Sequence, residues 1–140
     1  YIKSLNAYVV SDCIEICETS LQEKDGERSF FMESNFDQGI IDIIFSPSGL
    51  QLLSYSSYDG PDYGDYYFFR AEIVVYNIVS NKGLKGIKKK LDFKISDWSI
   101  EEIVWVNEDE LALKIYHGNK SIQGVEGGYE YGQVQLTDEE

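Results

Sequence analysis

Turn-forming residues punctuate this chain at short intervals, and that punctuation constrains its fold more than any other feature. Clusters of Gly, Pro, Asn, Asp and Ser fall at residues 24–26, 35–39, 46–49, 59–65, 81–83, 96–97, 107–109, 118–119 and 127–128. Between them lie runs rich in Ile, Val, Tyr and Phe, the side chains that suit a pleated, half-buried surface. These runs predict about nine strands, at 7–20, 27–33, 40–45, 50–58, 66–79, 87–95, 100–106, 111–116 and 129–136. Short strands at this spacing predict an all-β, antiparallel meander. The 140 residues fit one domain, residues 1–140, and 43% of them are hydrophobic, enough for a core without metal or disulfide staples.

Alternation sharpens the reading. In Lys88–Ile95, Leu91, Phe93 and Ile95 share one face while Lys90, Asp92 and Lys94 share the other. Leu111, Leu113 and Ile115 alternate with Ala112, Lys114 and Tyr116 in the same way. The run Ile40-Ile41-Asp42-Ile43-Ile44-Phe45 offers apolar groups to both faces and predicts a central, covered strand. Helix is weak throughout. Its best candidate is one turn near 96–102, with Ser99 as cap before Glu101 and Glu102.

An internal duplication is visible. Residues 43–55 align with 103–116 at an offset close to 60, pairing Phe45 with Trp105, Leu50 with Leu111, Leu52 with Leu113 and Tyr55 with Tyr116. Residues 45–55, FSPSGLQLLSY, resemble a hairpin of a β-propeller blade. Residues 71–83, AEIVVYNIVSNKG, are similar to the strand and turn that follow in such blades, and residues 95–113 resemble the start of a second blade. The resemblance covers roughly residues 40–113. A closed propeller needs four or more four-stranded blades, which this length excludes for a monomer. The resemblance therefore implies a β-sandwich or partial propeller-like sheets, in an oligomer or a fragment of a larger body.

Charge and cysteines narrow the function. With 25 Asp and Glu against 12 Lys and Arg, the formal net charge is −13. Such a field draws cationic partners and disfavours nucleic acid, whose phosphates require basic groups. Cys13 and Cys17 stand four apart. On one strand their Cα atoms would lie ~13 Å apart, beyond disulfide reach, which predicts reduced thiols and a cytoplasmic location. The chain has neither a long apolar run nor a signal-peptide pattern, and it opens at Tyr1 without Met, compatible with a trimmed start.

Catalytic apparatus is sparse. The one histidine, His117, sits at a strand end with nothing to place it against Cys13 or Cys17, and reads as an edge residue. The glycines at 124, 127, 128 and 132 match no phosphate or dinucleotide loop, and the Cys and His are too few for zinc. No cofactor or metal is expected. The six lysines in 82–94 are open to a nucleic-acid contact, but they read better as guards on an exposed sheet edge.

The most informative segment is residues 58–67, YDGPDYGDYY. It predicts a shaped surface loop in which Asp59, Asp62 and Asp65 alternate with tyrosines. Tyr supplies rigid contact area and Asp supplies charge-assisted hydrogen bonds to Lys or Arg. Calcium is the rival ligand for those carboxylates, though their spacing is not that of an EF-hand. Trp98, in an acidic stretch from 97 to 110, adds a candidate contact, while Trp105 reads as core. The expected partner-binding residues are Asp59, Asp62, Tyr63, Asp65, Tyr66 and Trp98.

Small, acidic and without a catalytic signature, the chain resembles in type a bacterial immunity protein. That resemblance implies a non-enzymatic inhibitor that neutralises a basic cognate toxin, such as a nuclease, by covering its active site. Two other readings stay open. One is an assembly module pairing propeller-like sheets in a homo-oligomer or a larger body. The other is a small carboxylate-dependent hydrolase or carbohydrate-binding domain.

Overall fold

The computed structural model describes residues 1–34, 36, 39–61, 67–118 and 127–135. Ten strands are present among them: β1 (Ala7–Cys13), β2 (Cys17–Glu23), β3 (Ser29–Met32), β4 (Asp42–Phe45), β5 (Gln51–Pro61), β6 (Tyr67–Ile78), β7 (Ile87–Ile95), β8 (Ser99–Asn107), β9 (Glu110–Gly118) and β10 (Gly127–Gln135). They form three antiparallel meanders, β1-β2-β3, β4-β5-β6-β7 and β8-β9-β10, and none closes into a barrel. The described helix is limited to two 3-10 turns, Lys3–Leu5 and Gly83–Gly86.

The three sheets stack as layers, and the alternation of β5 and β6 explains why. Leu52, Val74 and Tyr76 turn toward the first sheet, where they bury Leu5, Ala7, Leu21 and Met32. Their chain neighbours Leu53, Ile73 and Val75 turn the other way, onto Ile100, Ile103, Leu111 and Leu113 of the third sheet. The middle sheet thus owns a core on each face. Each fully buried aliphatic side chain contributes about 1.5–3 kcal/mol relative to exposure. Tyr76 serves the first core with its ring edge-on to Phe30, 5.4 Å away, and its hydroxyl accepts the Glu33 N–H at 3.1 Å.

The duplication has a structural counterpart with a shifted register. Phe45 pairs with Leu52 across β4–β5, and Trp105 pairs with Leu111 across β8–β9. Each pair looks back onto the preceding sheet, so the two hairpins stack by one repeated relationship. Leu50, aligned above with Leu111, lies instead in the turn and is exposed. The first turn is longer than the second, so the equivalence past it is Leu52 with Leu111.

Three expectations are corrected. The run 7–20 is a hairpin rather than one strand, because residues 14–16 turn the chain and Cys13 faces Cys17 in the last ladder pair. Strand β4 is a sheet edge, not a centre; Ile43 and Phe45 meet the first core and Ile44 the second, so its faces are packed although its outer margin is open. Residues 96–102 form no helical turn. Ser99 and Ile100 begin β8, and their burial against the middle sheet overrides the local capping signal.

The lysine edge is as expected, since β7 is the margin of the middle sheet. Lys89 pairs with Glu33 and Asp92 at 3.1 Å each, and Lys94 approaches the buried Glu72 carboxylate at 4.0 Å. A bulge opposite Val75 and Tyr76 leaves Lys90 without a ladder partner, and its Nζ reaches Gln51 Oε1 at 3.3 Å.

Candidate partner-binding surface

The longest strands among the described residues, β5 and β6, flank the acidic, tyrosine-rich segment. The β5–β6 ladder continues through Tyr58–Arg70, Asp59–Phe69, Gly60–Phe68 and Pro61–Tyr67, four pairs beyond Ala71, where β7 ends. At ~3.3 Å per residue this two-stranded arm extends about 13 Å past its neighbour. The expected loop over 58–67 is therefore shorter than the sequence suggests, because strand pairing claims Asp59, Gly60 and Pro61 on one side and Tyr67 on the other. Asp62, Tyr63, Asp65 and Tyr66 lie outside the described residues, between the two ends of the arm.

The base of the arm is anchored on both sides. Toward the third sheet, the Ser57 hydroxyl accepts the Ile100 N–H at 2.7 Å, and the Asp59 carboxylate accepts the Ser99 hydroxyl at 3.0 Å. Toward the first sheet, Ser34 and Ser56 share a hydrogen bond of 3.2 Å, and the Arg70 guanidinium lies 4.4 Å from the Phe36 ring centre. Asp59 is exposed yet engaged, so part of its capacity for a partner is already used. A two-stranded ribbon alone is marginal in water, and these contacts hold it in one direction.

Trp98 does not stand clear in its loop. It packs on the second core, with its ring centre 6.3 Å from that of Phe93, and is half-buried. Trp105 is also half-buried in that core and donates its indole N–H to the Ile44 carbonyl at 3.2 Å. Of the predicted contacts, Asp59 and Trp98 both lie where β8 begins, beside exposed Asp97, Glu101 and Glu102.

A second exposed feature was missed in the sequence. Cys13 and Cys17 form a disulfide across the β1–β2 hairpin, with Cα atoms 4.1 Å apart, contrary to the expectation of reduced thiols. The three residues it closes, Ile14, Glu15 and Ile16, present two aliphatic side chains to solvent, Ile14 being 89% exposed. Gly39 approaches this bridge in a left-handed conformation, φ 79°, and a Cβ there would sit 2.9 Å from that of Cys17. The available signal was two cysteines flanking three residues; it was hidden because Ile14 and Ile16 are strand formers rather than turn formers.

The electrostatics of the other end are set by Glu108, in the β8–β9 turn. Its carboxylate accepts the Ser48 N–H at 2.6 Å and Gln51 Nε2 at 3.0 Å. The Ser48 hydroxyl, then the Ser48 N–H, Gln51 and the Ser46 hydroxyl stabilise the anion against partial desolvation and lower its pKa to about 2. Tyr55, across from Asp42, has its phenol pKa raised by burial first and by Asp42 and Glu101 next.

Among the described residues, no group of three or more His, Cys, Asp or Glu is placed to hold a metal ion, and no helix is long and apolar enough to cross a membrane. Comparison with protein-family models, curated proteins and solved structures finds no match for this chain.

Proposed function

We propose that this chain is an acidic binding protein that engages a basic partner, in the manner of an immunity protein neutralising a toxin. The observation that carries the reading is the anchored β5–β6 arm, whose two strands flank the Asp- and Tyr-rich residues 62–66 in the sequence. An arm of this kind can enter a concave, cationic active site while its base stays fixed, which limits the ordering cost of association. The formal charge of −13 supports fast, salt-sensitive encounter with such a surface.

The Cys13–Cys17 disulfide supports an oxidising compartment over the cytoplasm expected from the sequence, since structural disulfides seldom persist where thiols are kept reduced. The partner is then a basic protein met in that setting. The test is affinity capture from the native source at low and moderate salt, with the Asp62→Ser/Asp65→Ser variant as control. Recovery of one basic protein that salt releases, and that the variant binds weakly, supports the reading. Equal capture by the variant would remove the arm from it.

One further observation favours assembly as the second reading. The face that stacks each hairpin on the preceding sheet recurs twice, and the outer sheets expose Tyr8, Phe31, Val104 and Val106. Sedimentation as a concentration-dependent oligomer would support that alternative.

A further inference from the structure

The β1–β2 hairpin is built against its own local preferences. Its connection, Ile14-Glu15-Ile16, contains none of the Gly, Asn, Asp, Pro or Ser that make hairpin turns. None of the three takes the left-handed conformation that commonly ends a three-residue hairpin loop. Ile14 and Ile16 are strand formers, and both are exposed, so burial does little to hold them in a turn.

Charge opposes the hairpin as well. Asp12 and Glu18 stand directly opposite each other in the ladder, one pair below the tip, and like charges so placed are destabilising. Glu15 adds a third carboxylate, and residues 4–23 contain no Lys, Arg or His. Against these stands the Cys13–Cys17 bridge in the last ladder pair. Farther down, the Ser11 and Thr19 hydroxyls share a hydrogen bond of 3.2 Å, and Ala7 and Leu21 are fully buried. The core therefore holds one end of the hairpin and the bridge holds the other.

We infer that the Cys13–Cys17 pair is a redox switch, which keeps the β1–β2 tip closed when oxidised and lets residues 12–18 open when reduced. The reductant is a small dithiol. Its first thiolate attacks Sγ of Cys13, the more exposed of the two cysteines, so that the S–S bond breaks and Cys17 leaves as a thiolate. Its second thiolate then displaces Cys13 from the mixed disulfide. Two electrons pass to the protein, the dithiol becomes a disulfide, and its two protons end on the cysteines. The freed sulfurs must part from bonding to van der Waals distance. Gly39 lies close against Cys17, so the displacement falls on Cys13 and the turn. There strand preference and carboxylate repulsion both favour a more extended chain. Opening stops at the Ser11–Thr19 tie, leaving a folded core with a loose acidic tip.

The experiment is backbone NMR relaxation on the intact chain, oxidised and after reduction with dithiothreitol, with Glu18→Lys as companion variant. On reduction the order parameters of residues 12–18 are expected to fall from about 0.85 to below about 0.6, while those of Leu21 and Leu53 stay near 0.85. In Glu18→Lys, where Asp12 faces a cation instead, reduction should leave the tip above about 0.6. Unchanged order at residues 12–18 after reduction would show that the hairpin stands without its bridge, and would overturn the proposal. Loss of order at Leu21 and Leu53 as well would make the bridge a staple of the whole fold, and would overturn it equally. A tip that loosens as much in Glu18→Lys would overturn the part assigned to charge repulsion.

Discussion

The carboxylate of Glu108 accepts the backbone N–H of Ser48 at 2.6 Å, across 60 residues of sequence, joining the turns of two hairpins that repeat one another. The Glu108 carbonyl takes Gln51 Nε2 at 2.6 Å, and Lys90 closes the network on the Gln51 amide oxygen at 3.3 Å. With the Ser57–Ile100, Asp59–Ser99 and Trp105–Ile44 hydrogen bonds, this link adds direction to an apolar layer that has little of its own.

Glu108→Gln is expected to lower stability by about 1 kcal/mol, the scale of a partly exposed hydrogen bond to a charged group. The depressed pKa gives the effect a pH signature. The stabilisation is present above the unfolded carboxyl's value near 4.5 and is lost as pH falls toward about 2. Urea melts of both proteins at pH 7, 4 and 2.5 should converge on acidification; a constant gap would deny the carboxylate this role.

The disulfide closes a five-residue loop, for which loop-closure entropy predicts about 2 kcal/mol of stabilisation. Unreduced protein should resist thiol alkylation in denaturant, and Cys13→Ser/Cys17→Ser should melt earlier by that amount. Alkylation of both cysteines without reductant would remove the bridge, and with it the argument for an oxidising compartment.

Three layers make a demand that two layers would not. Adjacent Leu52 and Leu53 are both fully buried, one in each core. Leu52→Ala and Leu53→Ala should each cost about 2–5 kcal/mol in chemical denaturation. A near-neutral result for either would mean that one face of the middle sheet is open.

Ser99 holds the arm through Asp59. Ser99→Ala should leave the global melting temperature nearly unchanged while hydrogen exchange at Tyr58 and Asp59 accelerates about tenfold, as expected for local rather than global opening. Unaltered exchange would show that the arm is held by the remaining anchors.

Much of the fold was legible because turn residues and alternation report local geometry. Leu91, Leu111 and Leu113 fall on the faces that periodicity assigns them, while Phe93 sits at the margin, 36% exposed. What escaped depends on contacts remote in sequence. Ile14 and Ile16 turn the chain despite their strand preference, in a loop closed by Cys13 and Cys17. Ile43 and Ile44 read as a central strand because layers above and below half-bury them even at an edge. Trp98 read as free because nothing local announces its contact with Phe93. For the candidate site, composition singled out residues 58–67, whereas the ladder that turns Asp59 to Pro61 into an arm needed Phe69 to Tyr67 opposite.

The most direct test of the central claim is the salt dependence of binding between the domain and the basic protein it captures, compared with Asp62→Ser/Asp65→Ser. The account predicts affinity that falls steeply as salt rises, with the variant both weaker and less salt-sensitive. A partner bound equally by both proteins, or with no dependence on salt, would contradict an acidic arm as the means of recognition.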